Sequence, residues 1–215
     1  MKDLIIIGAG GFAREVAWLV EDINQEKPIW NLIGYVDEDP DKENLILNDV
    51  PVLGSFNKLK GAARKAAAVC AVGNPLAKCK LIQKGNEVGL EYVNLIHPNV
   101  IISRHVKMGR GNIICAGNIL TVNITIGNHV ILNLDCTIGH DAIIGNYCTI
   151  LPSVNISGNT LIKEGCLIGT NSALIEGISI GEWSIIGAGA VVTKDIPPHC
   201  TAVGVPAKPI KFHQQ

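Results

Sequence analysis

Ile126–Val192 reads IGNHVILNLDCTIGHDAIIGNYCTILPSVNISGNTLIKEGCLIGTNSALIEGISIGEWSIIGAGAVV. Every sixth residue of this stretch is isoleucine, leucine or valine, without one exception. A period of six fits neither an α-helix, whose apolar positions recur about every 3.6 residues, nor an alternating strand, whose period is about 2. The repeated aliphatic positions are Ile126, Leu132, Ile138, Ile144, Ile150, Ile156, Ile162, Ile168, Leu174, Ile180, Ile186 and Val192.

The six-residue period predicts a coil of short parallel strands. Each hexad forms one strand and one turn, and three hexads close a triangular coil of about 18 residues, so that the aliphatic residues stack inside. The fifth residue of each hexad is usually small or β-branched, as in Cys136, Ser172 and Ala190. A glycine often follows the aliphatic residue, and we expect it to permit a tight turn. These glycines are Gly127, Gly139, Gly145, Gly169, Gly181 and Gly187.

The first hexads are less regular than the later ones. The aliphatic residues that we assign to the interior there are Val100, Val106, Ile113 and Ile119. This assignment includes seven-residue spacings, and the register settles at Ile126. The sequence therefore predicts an all-β parallel β-helix domain with a C-terminal tail over 97–215.

The first part of the chain alternates between predicted strands and helices, which indicates a small Rossmann-like α/β domain over 1–96. The apolar run Asp3–Ile7 is followed by a glycine turn, Gly8–Ala13, with the pattern G-x-G-x-x-A, and then by a helix over Arg14–Asn24. Backbone N–H groups at such a helix start attract anions. Further predicted elements are the strands Leu32–Val36, Ala67–Val72 and Tyr92–Ile96 and the helices Asn57–Arg64 and Leu76–Gly85.

The glycine turn permits three interpretations. It is typical of a nicotinamide or flavin enzyme, in which an acid at the end of the next strand, here Asp37, binds a ribose. Only the first half of a dinucleotide fold is present, which favours a ligand with one nucleotide whose phosphates lie on the turn. The third interpretation is a tight turn that binds nothing.

The composition excludes several classes of function. A net charge of −1 with 17% charged residues lacks the basic footprint of a nucleic-acid-binding protein. No apolar run reaches the roughly 18 residues that span a membrane, and the first residues do not resemble a signal peptide. The seven cysteines form no C-x-x-C pair, so we expect reduced, buried thiols, no metal site and a cytoplasmic protein.

His140 and Asp141 form the candidate catalytic pair. His140 lies two residues after the interior Ile138, and the turn at Gly139 should direct it outward. A histidine can accept a proton from an amine or a hydroxyl near neutral pH, and Asp141 could fix its tautomer. The alternative is a surface or interface histidine. Packing or interface roles are assigned to His97, His105 and His129.

The chain resembles the left-handed β-helix acyltransferases, and within them the group of sugar O- and N-acetyltransferases that includes the bacillosamine-pathway and sialic acid enzymes. The motifs that carry the resemblance are the hexads, the His140–Asp141 pair, Val93–Pro98, Val192–Pro197 and Gly204–Lys208. The resemblance implies a left-handed coil and a homotrimer with active sites between neighbouring solenoids. It also implies that acetyl-CoA lies along the coils and that the α/β domain holds a UDP-linked or similar nucleotide-linked sugar.

The resemblance further implies roles for individual residues. His140 would be the general base and Asp141 its orienting acid. The acceptor and its nucleotide would be bound by Gly8, Gly10, Gly11, Asp37, Glu38, Gly73, Asn74 and Asn133. The cofactor would be bound by the N–H of Gly158 at the thioester carbonyl, by Thr170 along the pantetheine, by the backbone of Ala188 and by Lys208 near the phosphates.

Two positions depart from the family pattern. Phe12 stands where many relatives have a histidine, and Thr149 replaces a second histidine that some relatives carry nine positions after the base. The function expected is acetyl transfer from acetyl-CoA to the amine of a nucleotide-linked amino sugar in bacterial glycan biosynthesis. Sugar O-acetylation, hydride transfer with NAD and a non-catalytic trimeric scaffold stay open.

Overall fold

In the computed structural model, which describes residues 1–213, the chain forms two compact units, Met1–Pro98 and a unit that begins at Asn99. Strands and helices alternate in the first unit. Its strands are β1 (Lys2–Ile7), β2 (Trp30–Val36), β3 (Ile46–Leu47), β4 (Val50–Pro51), β5 (Ala67–Cys70), β6 (Glu91–Tyr92) and β7 (Leu95–Ile96). Its helices are α1 (Gly11–Glu26) and α2 (Pro75–Glu87), with short 3₁₀ helices at Pro40–Lys42, Phe56–Lys58 and Gly61–Arg64.

A four-stranded parallel sheet in the order β2–β1–β5–β6 forms the centre of the first unit. Residues 4–7 of β1 are buried, because a continuous apolar run suits a central strand that is covered on both faces. Helix α1 buries Val16, Val20 and Ile23, which are spaced to lie along one side of a helix. The α/β fold predicted for this part of the chain is confirmed.

Three details of the first unit differ from the prediction. The helix predicted over Asn57–Arg64 is two short 3₁₀ helices, because Gly61 has a left-handed backbone conformation (φ of 56°) that interrupts an α-helix. The strand predicted over Tyr92–Ile96 is divided into β6 and β7. Helix α1 begins at Gly11, before the predicted start, because the glycine turn leads directly into its first turn.

The second unit is a parallel β-solenoid built from short strands in three ladders. Strands of successive coils pair 18 residues apart, as Ile131 does with Thr149, which confirms the predicted three-hexad coil. The solenoid is consistent with the left-handed β-helix that the resemblance implies. The pairing between Cys200–Val203 and Lys208–Phe212 is antiparallel.

The three ladders contain the following strands. The first ladder contains Ile113–Ile114, Ile131–Leu132, Thr149–Ile150, Leu167–Ile168, Ile185–Ile186, Cys200–Val203 and Lys208–Phe212. The second contains Ile101–Ile102, Ile119–Leu120, Thr137–Ile138, Asn155–Ile156, Ala173–Leu174 and Val191–Val192. The third contains Lys107–Met108, Thr125–Ile126, Ile143–Ile144, Leu161–Ile162 and Ser179–Ile180. A turn between two ladders forms each corner of the triangle.

The predicted interior of the solenoid is confirmed. All twelve aliphatic positions from Ile126 to Val192 are buried, and so is the fifth residue of each of these hexads. The hydroxyl groups at the fifth position keep a hydrogen bond inside the coil, as when Ser172 donates to the carbonyl of Gly169 at 2.8 Å. These buried hydroxyls therefore keep a hydrogen-bond partner, as buried polar groups in proteins usually do.

The irregular beginning that we predicted for the hexads is wrong. Leu120 points inward and is 1% exposed, whereas Ile119 is 38% exposed. Leu120 pairs with Ile102, and Ile114 pairs with Leu132, so the six-residue register continues without a break back to Ile102. Of the other residues assigned to the interior, Ile113 is buried and Val100 and Val106 are half-buried.

The glycines that follow the aliphatic residues are needed for close packing of coils and not, as predicted, for a tight turn. A Cβ atom on Gly139 would lie 2.5 Å from the backbone nitrogen of Gly158 in the next coil. The same atom on Gly169 would lie 2.5 Å from the nitrogen of Ala188. The left-handed residue of the turn comes two positions after the glycine, as in Asp141 (φ of 59°).

Candidate active site

His140 and Asp141 lie in the turn between the second and third ladders, directly after the strand Thr137–Ile138. The Nδ1 atom of His140 is 2.9 Å from Oδ2 of Asp141. Their side chains are 50% and 46% exposed. The corner of the coil therefore presents the imidazole and the carboxylate together at the surface, as the sequence predicted.

The carboxylate of Asp141 has two neighbours that stabilise its charge. A hydrogen bond from His140, and to a smaller extent one from Asn123, holds the pKa of Asp141 below its ordinary value. With an ionised acceptor at Nδ1, the neutral imidazole carries its proton on Nδ1 and leaves the lone pair of Nε2 open. This tautomer is the one that a general base acting through Nε2 requires.

Gly158 lies beneath the imidazole, one coil further along the solenoid. A Cβ atom on Gly158 would lie 2.5 Å from Cε1 and 2.6 Å from Nε2 of His140. Glycine, which has no Cβ atom, therefore leaves room for the imidazole to pack over the backbone at this position. The N–H of Gly158 donates to no acceptor within residues 1–213, so it can donate to a ligand.

The other predicted cofactor and acceptor residues of the solenoid lie at a different corner. Asn133, Thr170 and Ala188 each follow a strand of the first ladder, whereas His140 and Gly158 follow strands of the second. Asn133 is 9% exposed, and its side-chain oxygen accepts from the N–H of the next residue at 2.8 Å. One solenoid thus holds two groups of candidate residues on two corners.

Lys208 lies at the end of the first ladder, two strands beyond the strand Ile185–Ile186 that precedes Ala188. It is exposed and begins the strand Lys208–Phe212. Its partner across the antiparallel pairing is Val203. The structure therefore leaves its ammonium group in solvent, where it can meet an anion.

In the first unit, the glycine turn and Asp37 lie together at the carboxyl ends of the parallel strands. Gly8 has φ of 99°, and a Cβ atom there would lie 3.0 Å from Val72, so glycine is required. The N–H of Ala9 donates to Asp37 at 2.8 Å, and Lys42 donates to the same carboxylate at 3.0 Å. Gly10 is the N-cap of α1 and carries no side-chain cap.

The pKa of Asp37 reflects these contacts. Burial acts to raise the pKa of its carboxyl group, but hydrogen bonds from the N–H of Asp39, from Lys42 and from the N–H of Ala9 together hold it below the ordinary value. Asp37 therefore connects β2 to the glycine turn. The sequence indicated an acid at this strand end but did not reveal these internal partners.

Other residues predicted to hold the nucleotide also have structural contacts. Glu38 forms an ion pair with Lys84 and accepts from the N–H of Phe56 at 3.3 Å. The side chain of Asn74 caps α2 by accepting from the N–H of Ala77 at 2.9 Å. Gly73 has open space where a Cβ atom would be. In the glycine turn, the N–H groups of Gly8 and Ala9 donate to Val36 and Asp37, whereas those of Gly10 and Gly11 donate to no acceptor within residues 1–213.

Sequence reasoning missed Asn123, which lies 18 residues before Asp141 and bonds its carboxylate. The 18-residue spacing could have revealed it, because residues at that spacing stack at one corner.

Two of the histidines that we assigned to packing or interface roles have side-chain partners in the structure. Nε2 of His97 is 3.0 Å from Oδ2 of Asp22, and His129 is 5% exposed and stacks on Tyr147 at 5.6 Å between ring centroids.

Neither a metal site nor a membrane-spanning helix is found within residues 1–213. No group of three or more histidine, cysteine, aspartate or glutamate residues there is arranged to hold a metal ion. None of the helices in this range has the length and apolar character that crossing a membrane requires.

Two family models match the chain. The PglD N-terminal domain matches residues 3–84. The bacterial transferase hexapeptide model, with six repeats, matches residues 159–194. The first match covers most of the α/β unit and the second covers later coils of the solenoid.

Three solved structures resemble the chain over nearly its whole length. WeeI from Acinetobacter baumannii AYE has a TM-score of 0.89 at 29% identity, over 98% of this chain and 100% of that one. PerB from Caulobacter crescentus in complex with CoA and GDP-perosamine has a TM-score of 0.85 at 28% identity, over 98% of both chains. The acetyltransferase domain of PglB from Neisseria gonorrhoeae FA1090 in complex with acetyl coenzyme A has a TM-score of 0.85 at 29% identity, over 97% and 99%.

Curated relatives match only a short segment. Two provisionally named acetyltransferases, from Schizosaccharomyces pombe and Staphylococcus aureus (strain COL), are 77% and 67% identical over 30 residues. The matched segment spans 14% and 15% of those relatives.

Proposed function

We propose, from the confirmed resemblance to hexapeptide-repeat sugar acetyltransferases, that this protein transfers the acetyl group of acetyl-CoA to the amine of a nucleotide-linked amino sugar. The observation that carries the proposal is the His140–Asp141 pair at a solenoid corner, with Nδ1 of the imidazole 2.9 Å from an ionised carboxylate. The solved structures that resemble the chain over nearly its whole length support the proposal. PerB was crystallised with CoA and GDP-perosamine, and the acetyltransferase domain of PglB was crystallised with acetyl coenzyme A.

The chemistry is direct transfer. The neutral sugar amine attacks the thioester carbonyl, and Nε2 of His140 takes the amine proton as the new C–N bond forms. The tetrahedral intermediate then expels the CoA thiolate, which receives a proton from the imidazolium. Such general-base assistance contributes about 10²–10⁴-fold in rate.

Gly158 is the proposed donor to the oxyanion of this intermediate. Its N–H is without an acceptor in the part of the chain that the structure describes, and a Cβ atom on Gly158 would collide with the imidazole. Loss of one such donor in other enzymes costs about 2.7–4 kcal/mol of barrier. The close placement of base and donor lets both act on one reacting centre.

The proposed active unit is a homotrimer. His140 and Gly158 lie at one corner of the solenoid, and Asn133, Thr170 and Ala188 lie at another, so a site that unites both groups needs a second protomer. Exposed apolar residues surround the His140 corner and fit burial against a neighbour. They are Val122, Ile143 and Ile175, which are 43%, 48% and 43% exposed.

The α/β unit is proposed to hold the nucleotide of the acceptor. The turn at residues 8–11 lies at the carboxyl ends of parallel strands, where this class of sheet binds ligands, and its N–H groups lie at the start of α1. We expected a UDP-linked sugar, whereas PerB was crystallised with GDP-perosamine, so both bases belong in the test. We propose that Lys208 binds the CoA phosphates. We also propose that the reaction belongs to cytoplasmic glycan biosynthesis.

A panel of UDP- and GDP-linked amino sugars, incubated with acetyl-CoA and the full-length protein, tests the proposal. Thiol release shows transfer, and mass spectrometry with base treatment separates a stable amide from a labile ester. An amide product supports the proposal, and an ester would favour sugar O-acetylation. Binding of NAD without binding of acetyl-CoA would favour hydride transfer, and binding of acetyl-CoA with no product from any sugar would favour a scaffold.

A further inference from the structure

A cavity of about 330 Å³ lies in the early coils beside the candidate active site. Its lining residues are Arg104, His105, Lys107, Asn123, Ile124 and Thr125. Three of these six residues have basic side chains, and none has a carboxylate. The cavity therefore has the charge of a site for an anion.

The cations of the cavity have no internal counterion. Within residues 1–213, neither Arg104 nor Lys107 forms an ion pair. The Nε–H of Arg104 donates to Nε2 of His105 at 3.3 Å. That bond fixes His105 as the tautomer with its proton on Nδ1, so the histidine adds a hydrogen-bond donor beside two permanent charges.

The cavity is connected to the catalytic pair through Asn123. Asn123 lines the cavity and also bonds the carboxylate of Asp141. Arg104 lies at the same corner as His140, two coils earlier in the ladder register. Coils are spaced by about 4.8 Å, so the two backbone positions are about 10 Å apart along the solenoid.

The position along the solenoid separates this cavity from the proposed cofactor residues. Arg104 precedes His140 by two coils and Lys107 by slightly less, whereas Gly158, Thr170 and Ala188 follow it. An amino sugar whose amine reaches His140 has its anomeric phosphate on the far side of the pyranose ring. The early-coil cavity offers that phosphate a basic group of side chains about two coils before His140, on the side away from the proposed cofactor residues.

We propose that Arg104 and Lys107, with His105, form a subsite that binds the sugar-linked phosphate of the nucleotide-linked acceptor. The subsite holds the sugar end of the diphosphate and so positions the amine at Nε2 of His140. The identity of the ligand rests on the proposed function, but the anion-binding property does not. Charge-assisted hydrogen bonds to two cations make each phosphate contact stronger than a neutral one.

The variant R104M/K107M tests the subsite, with R110M/K27M as a control that removes the same two charges from exposed positions outside the cavity. Titration calorimetry with inorganic diphosphate, at low salt, measures binding without turnover. We expect the cavity variant to bind diphosphate about tenfold or more weakly, and the control variant to bind it like the wild type. Equal binding by both variants would overturn the proposal.

Steady-state kinetics distinguish the two sources of phosphate. For the acceptor subsite, KM for the nucleotide sugar rises about tenfold or more in R104M/K107M, while kcat and KM for acetyl-CoA stay near wild-type values. A rise in KM for acetyl-CoA alone would assign the cavity to the cofactor and refute the acceptor assignment. A change of mass in light scattering would refute it as well, because the cations would then serve a subunit contact. If no sugar is acetylated but diphosphate binding is lost in the cavity variant, the subsite stands and the proposed function fails.

Discussion

The imidazole of His140 lies on the backbone of Gly158, so closely that a Cβ atom there would come within 2.5 Å of the ring. Asp141 holds the ring through Nδ1, which is 2.9 Å from its Oδ2 atom. The ring is thus positioned by one polar contact within its own coil and one steric contact with the next coil. Its direction is set by the stacking of coils as well as by the local turn.

Gly158→Ala should reduce turnover by displacing the ring. The added methyl group cannot share space with Cε1 and Nε2, so the imidazole must rotate away from its bond with Asp141. Small misplacements of reacting groups can cost about 10²-fold in rate. We expect a large fall in kcat with a melting temperature close to that of the wild type. Wild-type kcat in this variant would show that the ring position does not matter.

Acid should remove the stabilising contribution of Asp37. The pKa of Asp37 is lowered in the folded state, so this state binds fewer protons than the unfolded state, and stability rises with pH. The contribution is fully present above the unfolded value of about 3.9 and is lost as the pH falls through the lower, folded value. Asp37→Asn should therefore melt below the wild type at pH 7, and the difference should vanish in acid.

The control for Asp37 is Asp49→Asn, which removes an exposed carboxylate of the same unit from a residue with φ of 63°, a conformation that asparagine also adopts. Melting curves between neutral and acidic pH, followed by circular dichroism, give both comparisons. The same pH dependence for the two variants would contradict the role of Asp37.

Leu120 and Ile119 test the register of the early coils. Leu120→Ala removes a buried side chain and should cost about 2–5 kcal/mol in free energy of unfolding. Ile119→Ala truncates a neighbour that is 38% exposed and should cost much less. Denaturant unfolding of both variants gives the comparison. A larger loss of unfolding free energy for Ile119→Ala than for Leu120→Ala would show that Ile119 points inward, and would favour the seven-residue spacing predicted from the sequence.

Sharing of the site between protomers can be tested by complementation. His140→Ala and Ala188→Trp disable different corners, and Ala188 is exposed enough to accept the larger side chain. If neighbours share each site, co-expressed variants that mix at random should recover about a quarter of wild-type activity. If one protomer supplied both residues, the mixture would stay as inactive as the separate variants.

The period of the sequence predicted the solenoid because stacked coils require the same residue type every six positions. It could not set the early register, because Ile113–Ile114 and Ile119–Leu120 each offer two adjacent aliphatic residues to the interior. The partners of Asp37 were hidden for another reason. They come from Ala9 and Lys42, whose positions depend on how the strands and the turn pack.

The two corners of the site could have been read from the sequence. Residues separated by a multiple of 18 stack together, so His140 and Gly158 share a corner and Asn133 belongs to another. The same arithmetic places Asn123 beside Asp141. The hydrogen bond between them needed the structure, because stacking alone does not direct a side chain.

The most direct test is the rate of acetyl transfer by wild type and His140→Ala, each with acetyl-CoA and the amino-sugar nucleotide that the panel identifies. The side chain is half exposed, so the variant should keep the melting temperature and the mass of the wild type. We predict that wild type forms an amide with release of CoA and that kcat of the variant is lower by about 10²–10⁴-fold. Transfer by the variant at the wild-type rate, or no transfer by wild type to any amino sugar, would contradict the account.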